Sequence, residues 1–261
     1  MHAWIRCVCL LLAGMVPVPA RAVDLAEAAA KLDALRLPDR SFAARFETSA
    51  QARTGGKQVV TSFDLYARRT SQEAGATFEV VLQARLPAAD TGKRILFTRE
   101  GCWMQDPKAR RPVKVPAQQL WSQGSVSDSL TWSLSRDFVA ADGGPDTLEL
   151  EGGAGRIACQ RVDFTPRPGA AFAASPVSYW LDSGGNPLQA VHTIAAGRPW
   201  RTVQFTVFQN MLGARRPVTM RSFSRNERLV VHLDDCRPFE VPVAWTSPDS
   251  FGTAALPQPG A

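Results

Sequence analysis

Along TFEVVLQARL, Phe78, Val80, Leu82, Ala84 and Leu86 alternate with Glu79, Gln83 and Arg85, so one side of an extended segment is apolar and the other polar. The same period of two recurs through most of the chain. SFAARFETSAQ and QVVTSFDLYARR, separated by TGGK, read as a hairpin, and PVSYWLDSGGNPLQAVHTI reads as another turning at SGGN. KRILFTR, a tight turn at REG, CWMQ and PVKVP follow one another as short strands. DGGP is expected to be a turn, with RIACQRVDFTPR, RTVQFTVFQ, RPVTMRSFSR and RLVVHLDD as further strands. A period near 3.6 occurs once, in VDLAEAAAKLDALRL, where Leu25, Ala28, Ala29, Leu32 and Leu35 fall on one stripe and Pro38 ends the run. The segment from Gln118 to Ser135 is irregular, a connection or a short helix, and the Pro-rich tail from Trp245 is expected to form an irregular arm. The sum is one helix and about ten short strands, the pattern of an antiparallel sheet or barrel.

The first 22 residues stand outside this pattern. MHAWIR carries a charge, VCLLLAGMV is a short apolar run, and PVPARA supplies small residues, which together predict a secretory signal cleaved after Ala22 and a mature domain over residues 23–261. The apolar run is well short of the roughly 20 residues that a membrane-spanning helix needs. Loss of Arg6 and Arg21 takes two from the 30 basic residues, against 24 acidic ones. That mild basic bias suits an anionic membrane surface or an acidic partner and is too weak to argue for nucleic acid. Beyond the leader, Cys102, Cys159 and Cys236 allow at most one internal disulfide, whose pairing the sequence leaves open, and none forms a CxxC motif.

Candidate chemistry is sparse. His192 and His232 have no HxH or HExxH neighbour, and there is no GxSxG elbow, P-loop or dinucleotide fingerprint. Asp234 and Asp235 are adjacent in an extended segment and so point to opposite faces. No catalytic residue, metal site or cofactor is predicted. What the sequence does distribute over its strands is bulky apolar side chains: Phe63, Leu65, Phe78, Val80, Leu82, Phe97, Trp103, Trp132, Phe164, Trp180, Phe205 and Phe223. They either fill an ordinary core or line a cavity inside a curved sheet, and periodicity does not separate the two. Trp103 and Met104 must point to opposite faces, and Trp103 is assigned to the cavity. Between CWMQ and PVKVP, the turn carrying Lys108, Arg110 and Arg111 is an exposed basic edge, either a docking site for an acidic partner or a solvated charged turn. Pro112 and Pro116 mark PVKVP as an edge strand.

Several of these pieces, in order, resemble the LolA/LolB-like periplasmic lipoprotein-carrier family, and its outer-membrane lipoprotein-sorting branch in particular. They are the Ala/Leu helix behind a signal, SFAARFETS with Phe42 and Phe46, KRILFTREGCWMQDPKARRPVKV as a central hairpin, RIACQRVDFTPR, SYWLDSGGNPLQAVHTI and the closing TSPDSF. The resemblance implies a mainly β fold with few helices: a strongly curved antiparallel sheet forming an unclosed β-barrel covered by α-helices. It implies a monomeric periplasmic carrier or chaperone that binds lipoprotein acyl chains or free lipid for transfer between inner and outer membrane. An inner-membrane transporter would be its partner, with peripheral membrane contact. The alternative is a lipid- or lipoprotein-sensing module of the same fold with a regulatory output.

Overall fold

The computed structural model describes residues 23–71, 73, 76–116, 128–153, 155–171, 174–194 and 197–257. The expected leader, Trp121 and most of the irregular segment that contains it lie outside the described residues. Helix α1 (Leu25–Arg36) precedes a first run of strands, β1 (Phe42–Ala52), β2 (Val59–Arg69), β3 (Phe78–Leu86), β4 (Arg94–Phe97), β5 (Cys102–Gln105) and β6 (Val113–Val115). The short helix α2 (Leu134–Asp137) opens the second run: β7 (Phe138–Glu149), β8 (Arg156–Pro166), β9 (Val177–Leu181), β10 (Pro187–Thr193), β11 (Pro199–Met211), β12 (Ala214–Ser224) and β13 (Glu227–Pro238). A last helical turn, α3 (Val243–Thr246), follows.

All thirteen strands join one antiparallel sheet in the order β6-β5-β4-β3-β2-β1-β13-β12-β11-β10-β9-β8-β7. Each run is a meander of neighbours in sequence, and the runs are sewn together only where β1 meets β13. The edges β6 and β7 do not pair, so the sheet is not closed. It nevertheless bends far enough for Arg99, in the turn after β4, to reach Asp137 at the start of β7, with Nη2 to Oδ1 at 2.9 Å. Both expected hairpins form. TGGK turns through Gly55 (φ 88°) and Gly56 (φ 118°), and at the second turn Asp182 Oδ1 accepts from the amides of Gly184 (2.9 Å) and Asn186 (2.8 Å).

Two expectations are corrected. DGGP is no turn: β7 runs straight through it, with a bulge between Asp142 and Gly144. Gly144 takes φ 81°, and a Cβ on Gly143 would lie 2.5 Å from Arg161 Nε, so the glycine pair serves a bulge packed under an arginine. Nor is the tail merely an arm. Phe251 is fully buried, and Arg94 Nη1 holds the carbonyls of Phe251 (2.8 Å) and Ala254 (2.7 Å).

Register decides which side chains share a face, because directly opposed residues point the same way. On one face, here called inner, a continuous apolar cluster runs from Ile95 and Phe97 in β4 to Val162 and Phe164 in β8. Ala28, Ala29 and Leu32 of α1, together with Leu130, Trp132 and Leu134, belong to the same cluster. The outer face carries smaller clusters where the tail packs: Val81, Leu96, Phe251 and Leu256 in one, Ala43, Tyr66 and Val241 in the other.

The polar link between α1 and the segment leading into β7 is Asp33. Helix α1 begins where Asp24 Oδ1 accepts from the amides of Ala26 and Glu27. Eight residues into the helix, the buried Asp33 carboxylate accepts from Ser133 Oγ (2.7 Å), Leu134 N (2.8 Å) and Ser135 N (2.9 Å), and pairs with Arg36 (2.7 Å). A side chain of one helix thus satisfies the first amides of another. Burial alone would raise the pKa of Asp33, but the Arg36 guanidinium and the Ser135, Ser133 and Leu134 donors overcome that and hold it below the usual carboxylate value. Asp137 is also lowered: burial opposes, and the Arg99, Arg136 and Ser133 donors prevail.

Because both folded-state pKa values are depressed, their stabilisation is complete above the unfolded carboxylate pKa of about 3.9 and is lost as pH falls through the folded values. Asp33→Ala should lower stability at neutral pH by about 3 kcal/mol, since it strips a buried charge network of its acceptor. In urea melts across pH 2 to 7, the variant should show a flatter acid limb than the native protein, and parallel acid limbs would remove Asp33 from this role.

Candidate functional site

Among the described residues, the inner face gathers the largest apolar cluster and packs it against a layer of helix. Its aromatic side chains form a chain of contacts from Trp132 to Phe138 (ring centres 5.1 Å apart), Phe164 (6.4 Å), Tyr179 (5.9 Å) and Phe205 (6.4 Å). On the opposite flank Phe42 packs on Phe78 (5.5 Å) and Phe46 on Phe63 (5.9 Å). Between sheet and helix a cavity of about 90 Å³ remains, bounded by Leu35 and Leu130 on the helical side and by Tyr179, Val203, Phe205 and Met220 on the sheet. Ligand pockets for drug-sized molecules run to about 300 Å³ or more, so the hollow is mostly filled.

Of the twelve bulky residues singled out in the sequence, Phe63, Leu65, Phe78, Val80, Leu82, Phe97, Trp132, Phe164 and Phe205 belong to or pack against the inner cluster. Only Phe205 borders the cavity. Three lie on the outer face. Trp103 stands opposite Leu96 and packs with Val81, Leu96 and Phe251, so Met104 is the residue of that pair turned to the inner side, where it is exposed. Trp180 donates Nε1–H to Asp146 at 2.8 Å, and Phe223 sits opposite Thr202 and Arg228. The tail explains Trp103: by covering the outer face it gives apolar side chains there somewhere to go.

The cavity wall also holds polar groups that strand patterning passed over. Arg216, on the inner side of β12, donates from Nη1 to the carbonyls of Ala34 (2.6 Å) and Leu35 (2.8 Å) and from Nε to that of Met211 (3.1 Å), tying the sheet to the C-terminal end of α1. Arg36 reaches Ser129 O (2.5 Å) and stacks 4.0 Å above Trp132. Lys31 donates to Gly184 O. His192 is buried beside Arg201, whose Nη2 lies 3.3 Å from Nε2; a guanidinium can only donate, so Nε2 accepts and the ring proton sits on Nδ1, toward Ser175 Oγ. Burial, with the charges of Arg201 and Arg36 adding, pushes His192 well below its ordinary pKa, so it is neutral. Burial also pushes Cys236 up to about 11, against the pull of Arg216, and it stays a thiol at neutral pH. A neutral, engaged imidazole and a protonated thiol are poor groups for nucleophilic chemistry and good ones for a quiet binding wall.

Cys102, Cys159 and Cys236 form no disulfide with one another. Among the described residues, no cluster of His, Cys, Asp and Glu is arranged to hold a metal ion, and no helix is long and apolar enough to cross a membrane. Lys108, Arg110 and Arg111 are exposed in the turn from β5 to edge strand β6, where Asp106 Oδ1 accepts from Lys108 N at 2.9 Å. Arg110 and Arg111 border an outer hollow of about 840 Å³, floored by Trp103, Gln83 and Gln105 and flanked by Pro248 and Gly252 of the tail.

The sequence matches no protein-family description and no curated protein. Solved structures do match. A LolA superfamily protein from Nitrosomonas europaea superposes with a TM-score of 0.70 at 18% identity, over 87% of this chain and 98% of that one. A DUF1329 family protein from Desulfovibrio piger gives 0.68 at 15% identity over 85% and 95%, and an outer membrane lipoprotein-sorting protein domain from Vibrio parahaemolyticus gives 0.62 at 14% over 81% and 91%. At these identities the likeness is one of architecture, and it extends over nearly the whole of each neighbour: this chain has the fold of the LolA superfamily.

Proposed function

We propose that the protein is a periplasmic carrier that takes up acyl chains, of a lipoprotein or of free lipid, against the inner face of its open sheet. The observation that carries this reading is the extended, largely apolar inner face of an unclosed sheet, packed against one short helix and the 128–137 segment. Its LolA-like fold supports the same reading, as does the sorting role that the name of the Vibrio parahaemolyticus neighbour gives to that protein. Exposing an acyl chain to water costs about 0.8 kcal/mol per CH₂, so a carrier has to bury most of the chain.

A cavity of about 90 Å³ cannot do so as it stands. In the loaded state α1 and the 128–137 segment withdraw from the sheet as a cover, and the acyl chain replaces the contacts of Leu32, Leu130, Trp132 and Leu134 with the inner face. Exchange of one apolar surface for another changes little in net burial, which keeps uptake reversible. The polar ties of the cover to the sheet, Arg216 to Ala34 and Leu35 and Lys31 to Gly184, sit at its margin and can be remade after release. The basic turn of Lys108, Arg110 and Arg111 lies on the opposite side of β5 and docks the carrier to an anionic membrane surface or an inner-membrane transporter.

Protein recovered from its native periplasm should release acyl lipids on organic extraction, as read by mass spectrometry, and recovery of lipid-free protein that also ignores fluorescent fatty acids would contradict the carrier reading. The two faces separate cleanly by mutation. Ala190→Phe, which places a ring in the cavity, should weaken fatty-acid binding about tenfold or more, whereas Trp103→Gln on the outer face should leave it within about twofold. Neutralisation by Arg110→Gln and Arg111→Gln should leave fatty-acid binding intact and cut co-sedimentation with phosphatidylglycerol vesicles by about fivefold per residue.

A further inference from the structure

The charge around the cavity carries the carrier reading one step further, to the kind of lipid. Resting on that reading, we propose that the cavity selects single-chain amphiphiles with an anionic head, seated on Arg216 at its entrance.

Among the described residues no acidic side chain borders the cavity, while Arg36, Arg216 and His192 do. The charge of Arg36 is answered by Asp33 at 2.7 Å. Arg216 is different: it is buried, and its hydrogen bonds from Nε and Nη1 all end on backbone carbonyls. A guanidinium stays protonated even where burial lowers its pKa, as it does here. Among the described residues Arg216 makes no ion pair, and the acid that contributes to its field, Asp39, is exposed and engaged by Arg40 at 2.8 and 3.0 Å. A buried charge lacking a counter-charge costs free energy that an anionic ligand recovers.

Its position matches an amphiphile. Arg216, Pro38 and Leu212 border both the cavity and an open hollow of about 680 Å³ between the C-terminal end of α1 and the turn from β11 to β12. The hollow also contains Arg69 and Arg136, together with Asp33 and Asp39 whose charges are already engaged. A chain placed among Phe205, Val203 and Met220 therefore leaves its head at Arg216, on the wet side. Nη2 is unused in the three carbonyl bonds and Nη1 is released when α1 withdraws, so both can donate to a carboxylate or phosphate oxygen, and such a charge-assisted bond is about twice as strong as a neutral one.

The test uses the mature chain and cis-parinaric acid, whose fluorescence rises in an apolar site, with its methyl ester as the uncharged twin. The acid should bind about tenfold or more tightly than the ester at neutral pH. Arg216→Gln should remove that preference by weakening the acid alone, and Arg216→Lys should retain most of it. Competition by laurate, dodecyl phosphate and dodecanol assigns the head: either anion outcompeting the alcohol supports the proposal and names carboxylate or phosphate. Equal binding of acid and ester by the native protein overturns the proposal while leaving the carrier reading intact, and this comparison decides even where an Arg216 variant fails to fold. Binding of neither overturns the carrier reading and the proposal with it.

Discussion

A single buried carboxylate sets the geometry on which the inner face depends. Asp33 projects from α1 toward the start of α2 and occupies the amides that a helix otherwise leaves unpaired at its first turn. Without that acceptor, the buried Ser133 hydroxyl and Leu134 amide would lose their partner. The link makes α1 and the 128–137 segment one layer, and Asp137 joins that layer to the turn after β4 through Arg99. The turn after β4 and the start of edge strand β7 are thereby held near each other by charge rather than by strand pairing.

That arrangement accounts for the contrast between the two faces. The inner face is largely apolar, yet the layer packed on it is short and is tied to the sheet at its margins by Arg216 and Lys31. Marginal polar ties around an apolar contact are what the proposed reversible cover requires: in that proposal the apolar area is interchangeable with an acyl chain, and the hydrogen bonds set when the exchange occurs. The outer face is closed differently, by the tail through Phe251, Leu256 and the rings of Trp245, Tyr66 and Phe239. Nothing in that outer packing faces the cavity.

Much of the fold was legible because period-two patterning is strong in β1 to β3 and β8 to β13, and because TGGK and SGGN carry the residues their turns require. The bulge at DGGP was not, since the sequence of a tight turn and that of a glycine bulge are alike until register is known. Facing was legible only where one side is polar. Phe78, Val80 and Leu82 alternate with polar neighbours, but Val81 and Leu96 break the alternation, and those two residues are the trace of an outer cluster that also claims Trp103. Trp180 and Phe223 lie on the outer face for the related reason that strand parity, not aromatic character, decides which side a ring takes. Asp33 had a signal: it falls four residues after Ala29, on the helix stripe that carries Leu32, where an acid is out of place unless it is bound. Arg216 had only parity, two residues from Val218 and four from Met220 on one side of β12.

The central claim is that the helical layer leaves the sheet when an acyl chain enters. Hydrogen exchange of the full mature chain, with and without saturating oleate, tests it most directly. The account predicts faster exchange of the α1 amides and of residues 133–137 in the loaded protein, with the β1–β13 seam unchanged; equal or slower exchange of those helical amides in a protein that demonstrably holds oleate would contradict it.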